Sequence, residues 1–210
     1  EGFDKKLWKA TPRATAKGPA VEFELVSPDG EEGYPGTVKA TCTYTLTNAN
    51  ELKVEFAATT DKPTVVNLAH HSYWNLGGAA AGGILDHTLQ LNADRYTPVD
   101  DTLIPTGEIA SVRGTVMDFN RATAIGARIA DVPGPAPGGY DHNYVLGGDG
   151  KSLVLFARAF EPKSGRVMEV STTQPGVQLY TANHLREVVG VGGAVFAKHG
   201  GFCLETQHYP

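Results

Sequence analysis

The longest stretch of this chain free of both glycine and proline runs from Thr37 to Lys62, and it alternates instead of winding. Val38, Ala40, Cys42, Tyr44 and Leu46 interleave with Lys39, Thr41, Thr43, Thr45 and Thr47, a period of two. After Asn48-Ala49-Asn50-Glu51 the alternation resumes with Leu52, Val54, Phe56 and Ala58. A helix would bring apolar residues to one face roughly every 3.6 positions, so the pattern predicts an antiparallel hairpin, its β-branched threonines facing solvent. Elsewhere punctuation comes sooner, with 25 glycines and 13 prolines among 210 residues. Both residue types destabilise a helix interior.

Shorter strand-like runs recur at Thr64–Leu68, Thr88–Asn92, Leu153–Ala159, Val167–Thr172, Gly176–Tyr180 and Gly201–Thr206. Turn sequences such as Ser27-Pro28-Asp29-Gly30 and Lys163-Ser164-Gly165 separate them. Two windows carry helical potential: Asn183–Val189, and Ala122–Ala130 with Ile125 and Ile129 at i, i+4. The Pro/Gly-rich stretch from Pro133 to Gly139 is short and strand-flanked, so it reads as a loop within one domain. The expected fold class is all-β, a large, mostly antiparallel β-sandwich with few short helices, spanning residues 1–210 as a single domain.

Charge and motif content exclude several function classes. A net charge of -5 and a pI near 5.8 give no electrostatic footprint for nucleic acid or an anionic membrane. No apolar run approaches the ~20 residues of a membrane-spanning helix. The chain opens at Glu1 with no charged-then-apolar leader, and is expected to begin after its true start. There is no G-x-S-x-G, P-loop, helix-opening G-x-G-x-x-G or H-E-x-x-H. Cys42 and Cys203 lie far apart without zinc spacing and read as free thiols of a reducing compartment. Adjacent His70 and His71 would point to opposite faces of a strand, so they are not expected to bind one metal ion together, a site shared with His142 or His199 being the metal alternative.

What remains is polar chemistry inside aromatic, strand-like stretches. Asn67-Leu-Ala-His-His-Ser-Tyr-Trp-Asn75 gathers His70, His71, Tyr73 and Trp74. Such histidines can be hydrogen-bonded core residues, but the aromatic and amide neighbours also suit a sugar pocket. Asp141 in Gly139-Tyr-Asp-His-Asn143 is either a turn former or strand cap, or a ligand. Gln178 sits in an apolar run and can equally pair with backbone. Near the C-terminus, alternation puts Phe202, Leu204 and Thr206 on one face and Cys203, Glu205 and Gln207 on the other. Glu205 there is a solvent-face glutamate or a partly buried general base.

These patches resemble the aldose 1-epimerase (galactose mutarotase) family. The matching stretches run in order along the chain: Gly2-Phe-Asp-Lys5 with Trp8, Ser27–Gly36, Asn67–Leu76, Gly139–Asn143, Pro175–Asn183 and Phe202–Pro210. The resemblance implies a supersandwich with an open sugar cleft that interconverts the α and β anomers of free hexoses such as galactose and glucose, without a cofactor. It further implies Glu205 as catalytic base and His71 as proton donor, with Asp141 and Gln178 at hydroxyl-binding positions. His70 and Tyr73 are expected to join them in substrate binding, although His70 stands where the family commonly has asparagine.

The chemistry makes sense of the set. A carboxylate takes the C1 hydroxyl proton while a protonated imidazole gives one to the ring oxygen, the ring opens, C1–C2 rotates, and closure reverses the roles. Relative to the family the chain is expected to lack both ends, the upstream one carrying a further site histidine and a sugar-binding arginine. The expected partner is a free aldohexose, with neither nucleic acid nor membrane, and the chain is expected in the cytoplasm as a monomer or weak dimer. The alternatives are a non-catalytic carbohydrate-binding sandwich and a hexose-6-phosphate 1-epimerase.

Overall fold

The computed structural model describes residues 2–79 and 81–210, which divide into a unit ending at Leu68 and a unit beginning at Ala69. The first unit is one antiparallel sheet of four strands in sequence order: β1 (Lys9–Thr15), β2 (Gly18–Ser27), β3 (Val38–Leu46) and β4 (Leu52–Thr60). Strands β3 and β4 are the hairpin the alternation predicts, paired from Leu46↔Leu52 to Val38↔Thr60. Val38, Ala40 and Cys42 are buried, as the period requires, while the pattern breaks at the hairpin end, where Thr45 is buried and Leu46 exposed. Strands β1 and β2 were not singled out from the sequence.

The second unit holds β5 (Thr88–Leu91), β6 (Arg95–Thr97), β7 (Ala110–Ser111), β8 (Thr123–Ala124) and β9 (Asp141–Val145). It continues with β10 (Val154–Phe160), β11 (Val167–Thr172), β12 (Gly176–Tyr180), β13 (Val188–Val189), β14 (Val195–Phe196) and β15 (Cys203–Gln207). They form a four-stranded sheet, β11-β10-β5-β8, a five-stranded sheet, β15-β12-β9-β6-β7, and the small ribbon β13-β14. Leu89, Leu91, Phe156 and Ala159 of the four-stranded sheet share one core with Tyr144, Val177, Leu179 and Leu204 of the five-stranded sheet. Burying these inner faces is the main source of stability, at roughly 25 cal/mol per Å² of apolar surface.

Three expectations fail for physical reasons. Thr64–Leu68 joins no strand, and Val65 is 78% exposed, because β-branched propensity makes no strand without a neighbouring ladder. Asn183–Val189 forms no helix and ends in β13. Ala122–Ala130 keeps Ile125 buried and Ile129 against the core, but as part of two 3-10 turns, Ile125–Ala127 and Ile129–Asp131. Gly126 lies so close to Leu85 that a Cβ would come within 2.8 Å of its side chain, so the backbone hugs its neighbour instead of continuing a helix. No α-helix occurs among the described residues, nor any helix long and apolar enough to cross a membrane.

Candidate active site

Period-two geometry builds the site on the outer face of the five-stranded sheet. In register, Gln178 of β12 lies opposite Glu205 of β15 on one side and Asn143 of β9 on the other, and Asn143 lies opposite Thr97 of β6. One row of side chains therefore crosses four strands. The next row along holds Asp141, Tyr180 and Cys203. Val177, Leu179 and Leu204 alternate with these residues and face the core.

His71 reaches this surface from an irregular segment. Trp74 and Phe202 exchange two backbone hydrogen bonds, 2.8 and 3.0 Å, and the Asn75 amide donates to the Gly200 carbonyl at 3.1 Å. These bonds moor the His71 segment beside the start of β15. His71 Nε2 then lies 3.6 Å from Glu205 Oε1 and its Nδ1 3.5 Å from Cys203 Sγ.

The result is a cleft of about 440 Å³ in which five of the six residues expected from sequence, His71, Tyr73, Asp141, Gln178 and Glu205, come together. Gln178 Nε2 donates to Asp141 Oδ1 at 2.7 Å, and Gln207 Nε2 to Gln178 Oε1 at 3.5 Å. Tyr73 stands 5.2 Å from the His71 ring and 6.2 Å from the Tyr180 ring, making an aromatic wall. The sixth residue, His70, does not line the cleft. Its Nε2 pairs with Ser72 Oγ at 2.8 Å and its ring meets Trp74 edge-on, as expected when neighbours along an extended segment diverge.

Electrostatics set Glu205 apart. Its side chain is 14% exposed, and burial pushes its carboxyl above the ordinary glutamate range, with Asp141 adding to the rise and His71 opposing it. Burial likewise lifts the Tyr73 hydroxyl to about 12. Cys203 is pushed far up by burial and then by Glu205 and Asp141. His71, Cys203 and Glu205 place three donor atoms within 4.8 Å of one another. With the thiol kept as S–H they make a poor cation site, because the thiolate is the ligand form. His142 and His199 are engaged elsewhere, with the Asp141 N–H and the Thr181 carbonyl respectively.

Sequence reasoning missed the rest of the lining. Asn143 is 1% exposed, and neither amide atom finds a hydrogen-bond partner among the described residues. It and Tyr180 stand two positions from Asp141 and Gln178, so the strand period was the available signal. Val99, Leu103 and Pro105 add an apolar edge from the loop after β6, in which Asp100 accepts from Thr102 and Ile104 within the loop itself. Gly176 supports the floor, since a Cβ there would come within 2.5 Å of Asn143 Oδ1.

An antiparallel sandwich with a polar, aromatic-walled cleft on one sheet face is the architecture of the galactose mutarotase-like proteins. The galactose 1-epimerase of Lactobacillus acidophilus superposes with a TM-score of 0.82 at 30% identity, over 99% of this chain and 59% of that one. The chain belongs to the aldose 1-epimerase family, whose model matches residues 2–210. It is 50% identical to human galactose mutarotase over its whole length, covering 59% of that protein. It is 38% identical to the aldose 1-epimerase of Haemophilus influenzae, covering 61%. The chain thus spans about three-fifths of the length of these relatives.

Proposed function

We propose that this chain carries the acid/base centre of an aldose 1-epimerase, an isomerase that interconverts the α and β anomers of free hexoses such as galactose and glucose. The observation that carries this reading is the Glu205–His71 pair, 3.6 Å apart on the cleft floor. Both exchangeable positions of a pyranose, the C1 hydroxyl and the ring oxygen, sit on one carbon. A single base and a single acid facing that carbon therefore suffice.

Glu205 takes the hydroxyl proton as His71 delivers one to the ring oxygen, and the C1–O5 bond breaks to give the open aldehyde. Rotation about C1–C2 presents the other carbonyl face. The C5 hydroxyl then adds to C1, returning its proton to His71 while Glu205 protonates the new C1 oxygen. The raised Glu205 carboxyl suits it to both taking and returning a proton. Asp141 and Gln178 would hold ring hydroxyls, and Tyr73 would cover a sugar face.

Two carboxylates, Asp141 and Glu205, line the cleft. That charge balance favours a neutral sugar over a hexose 6-phosphate. The two free, buried cysteines suit a reducing compartment, and we place the protein in the cytoplasm.

The test is polarimetry on freshly dissolved α-galactose. Glu205→Gln is expected to slow anomer exchange by about 10²–10⁴-fold while calorimetric galactose binding persists. A near-parental rate in that variant sinks the assignment. Sugar binding without any acceleration by the parent protein would mark a binding module instead.

A further inference from the structure

We propose that Cys203 is a positioning residue for this reaction, its thiol holding the His71 ring so that Nε2 is the nitrogen presented to Glu205 and the sugar. The proposal rests on the acid/base reading of His71 given above.

His71 is half exposed, and a surface imidazole can turn over about Cβ–Cγ, exchanging each nitrogen for a carbon. Two contacts discriminate between these orientations. Nδ1 lies 3.5 Å from Cys203 Sγ, and Nε2 lies 3.6 Å from Glu205 Oε1. A flipped ring would set C–H groups against both partners. The other groups around the ring, Tyr73 and Tyr180, touch it through aromatic faces and edges at 5.2 and 6.2 Å. Such contacts do not distinguish nitrogen from carbon as a hydrogen bond does.

A thiol suits this task because it can act in both protonation states of the imidazole. When both ring nitrogens carry protons, Nδ1–H donates to the sulfur. In the resting neutral ring an ionised Glu205 only accepts, so the proton belongs on Nε2 and S–H donates to Nδ1. The opposite neutral tautomer would turn the Nε2 lone pair toward a carboxylate oxygen. Once Nε2 has given its proton to the ring oxygen and Glu205 holds the hydroxyl proton, Nδ1–H stays on the sulfur. Cys203 is fully buried, and its surroundings favour the S–H form that this exchange of roles needs.

The experiment uses the protein at its natural length, with ¹⁵N-labelled histidine, and compares Cys203→Ala with Cys203→Ser. The neutral ring of His71 in the parent is expected to carry its proton on Nε2, with Nδ1 as acceptor. In Cys203→Ala the two tautomers mix, and kcat falls about five- to tenfold with KM nearly unchanged, the size of one modest hydrogen bond. Serine, which also donates and accepts, restores both the tautomer and most of kcat.

A Cys203→Ala protein that keeps the parental tautomer ratio overturns the proposal. A changed ratio with an unchanged kcat also overturns the role in this reaction, because the thiol then sets the tautomer without bearing on proton transfer, while loss of anomer exchange in Glu205→Gln decides the acid/base reading separately.

Discussion

Glu161 and Glu205 are both largely shielded from water, and their surroundings drive them in opposite directions. Glu161 closes the β10–β11 turn. Lys163 N–H donates to its Oε1 at 3.0 Å and Ser164 N–H to its Oε2 at 2.6 Å. Ser164, through side chain and backbone, and then Lys163 hold this carboxyl down to about 2. Glu205 receives no backbone N–H bond among the described residues, only the imidazole 3.6 Å away, and burial raises it. Burial alone therefore says little about a carboxylate. The donors that replace water decide whether it is a structural clamp or a group free to trade protons.

Glu161→Gln should break this comparison most visibly in stability. Because Glu161 is depressed from 4.5 to about 2 in the folded chain, its contribution is present in full above pH 4.5. It is lost as pH falls through about 2. The variant should melt below the parent at pH 7 while retaining activity at temperatures where it is folded, and the gap should close on acidification. A gap that stays constant from pH 7 to pH 2.5 would show that the charge is not what secures the turn.

Glu205→Gln should move stability the other way. A raised folded-state carboxyl means that, above the unfolded value of 4.5, the native state holds its proton more tightly than the unfolded chain. Stability therefore falls as pH rises through that window, and the cost persists above it. The glutamine variant should melt at or above the parental temperature at pH 8, and this advantage should vanish below pH 4. Melting well below the parent at pH 8 would place Glu205 with the structural clamps.

The same contrast explains how much of the molecule was legible in sequence. Strands with one apolar face and ordinary polar neighbours, such as β3, β11 and β12, could be read from alternation and turns. So could the facing of Glu205 and Gln207 away from Leu204. Strand β9 was legible only as a strand-like flank of the Pro/Gly loop, without bounds, because Asp141 and Asn143 turn polar groups toward the cleft and His142 adds a buried imidazole. Local pattern and final structure part company at β9, whereas β12 and β15, which also carry the site, keep one apolar face and stay legible. The mooring of His71 was invisible for another reason. It depends on backbone bonds between Trp74 and Phe202, distant in the chain, and backbone bonds leave no mark on side-chain pattern.

Asp141→Asn gives the smallest and most diagnostic effect. Asp141 is the like charge that helps raise Glu205, and Gln178 Nε2 already donates to its Oδ1 at 2.7 Å. Asparagine keeps a carbonyl acceptor for that bond and removes the charge. If Glu205 is the base, the acid limb of kcat/KM in the parent lies above 4.5, because the carboxylate form is the active one. In Asp141→Asn the limb should move down, toward 4.5, while the rate on the plateau falls through weaker hold on the sugar. Burial, the larger cause, is untouched, so part of the elevation should survive. A limb that stays in place would mean that Glu205 owes its elevation to burial alone, and one that rises would mean that the titrating group is not Glu205.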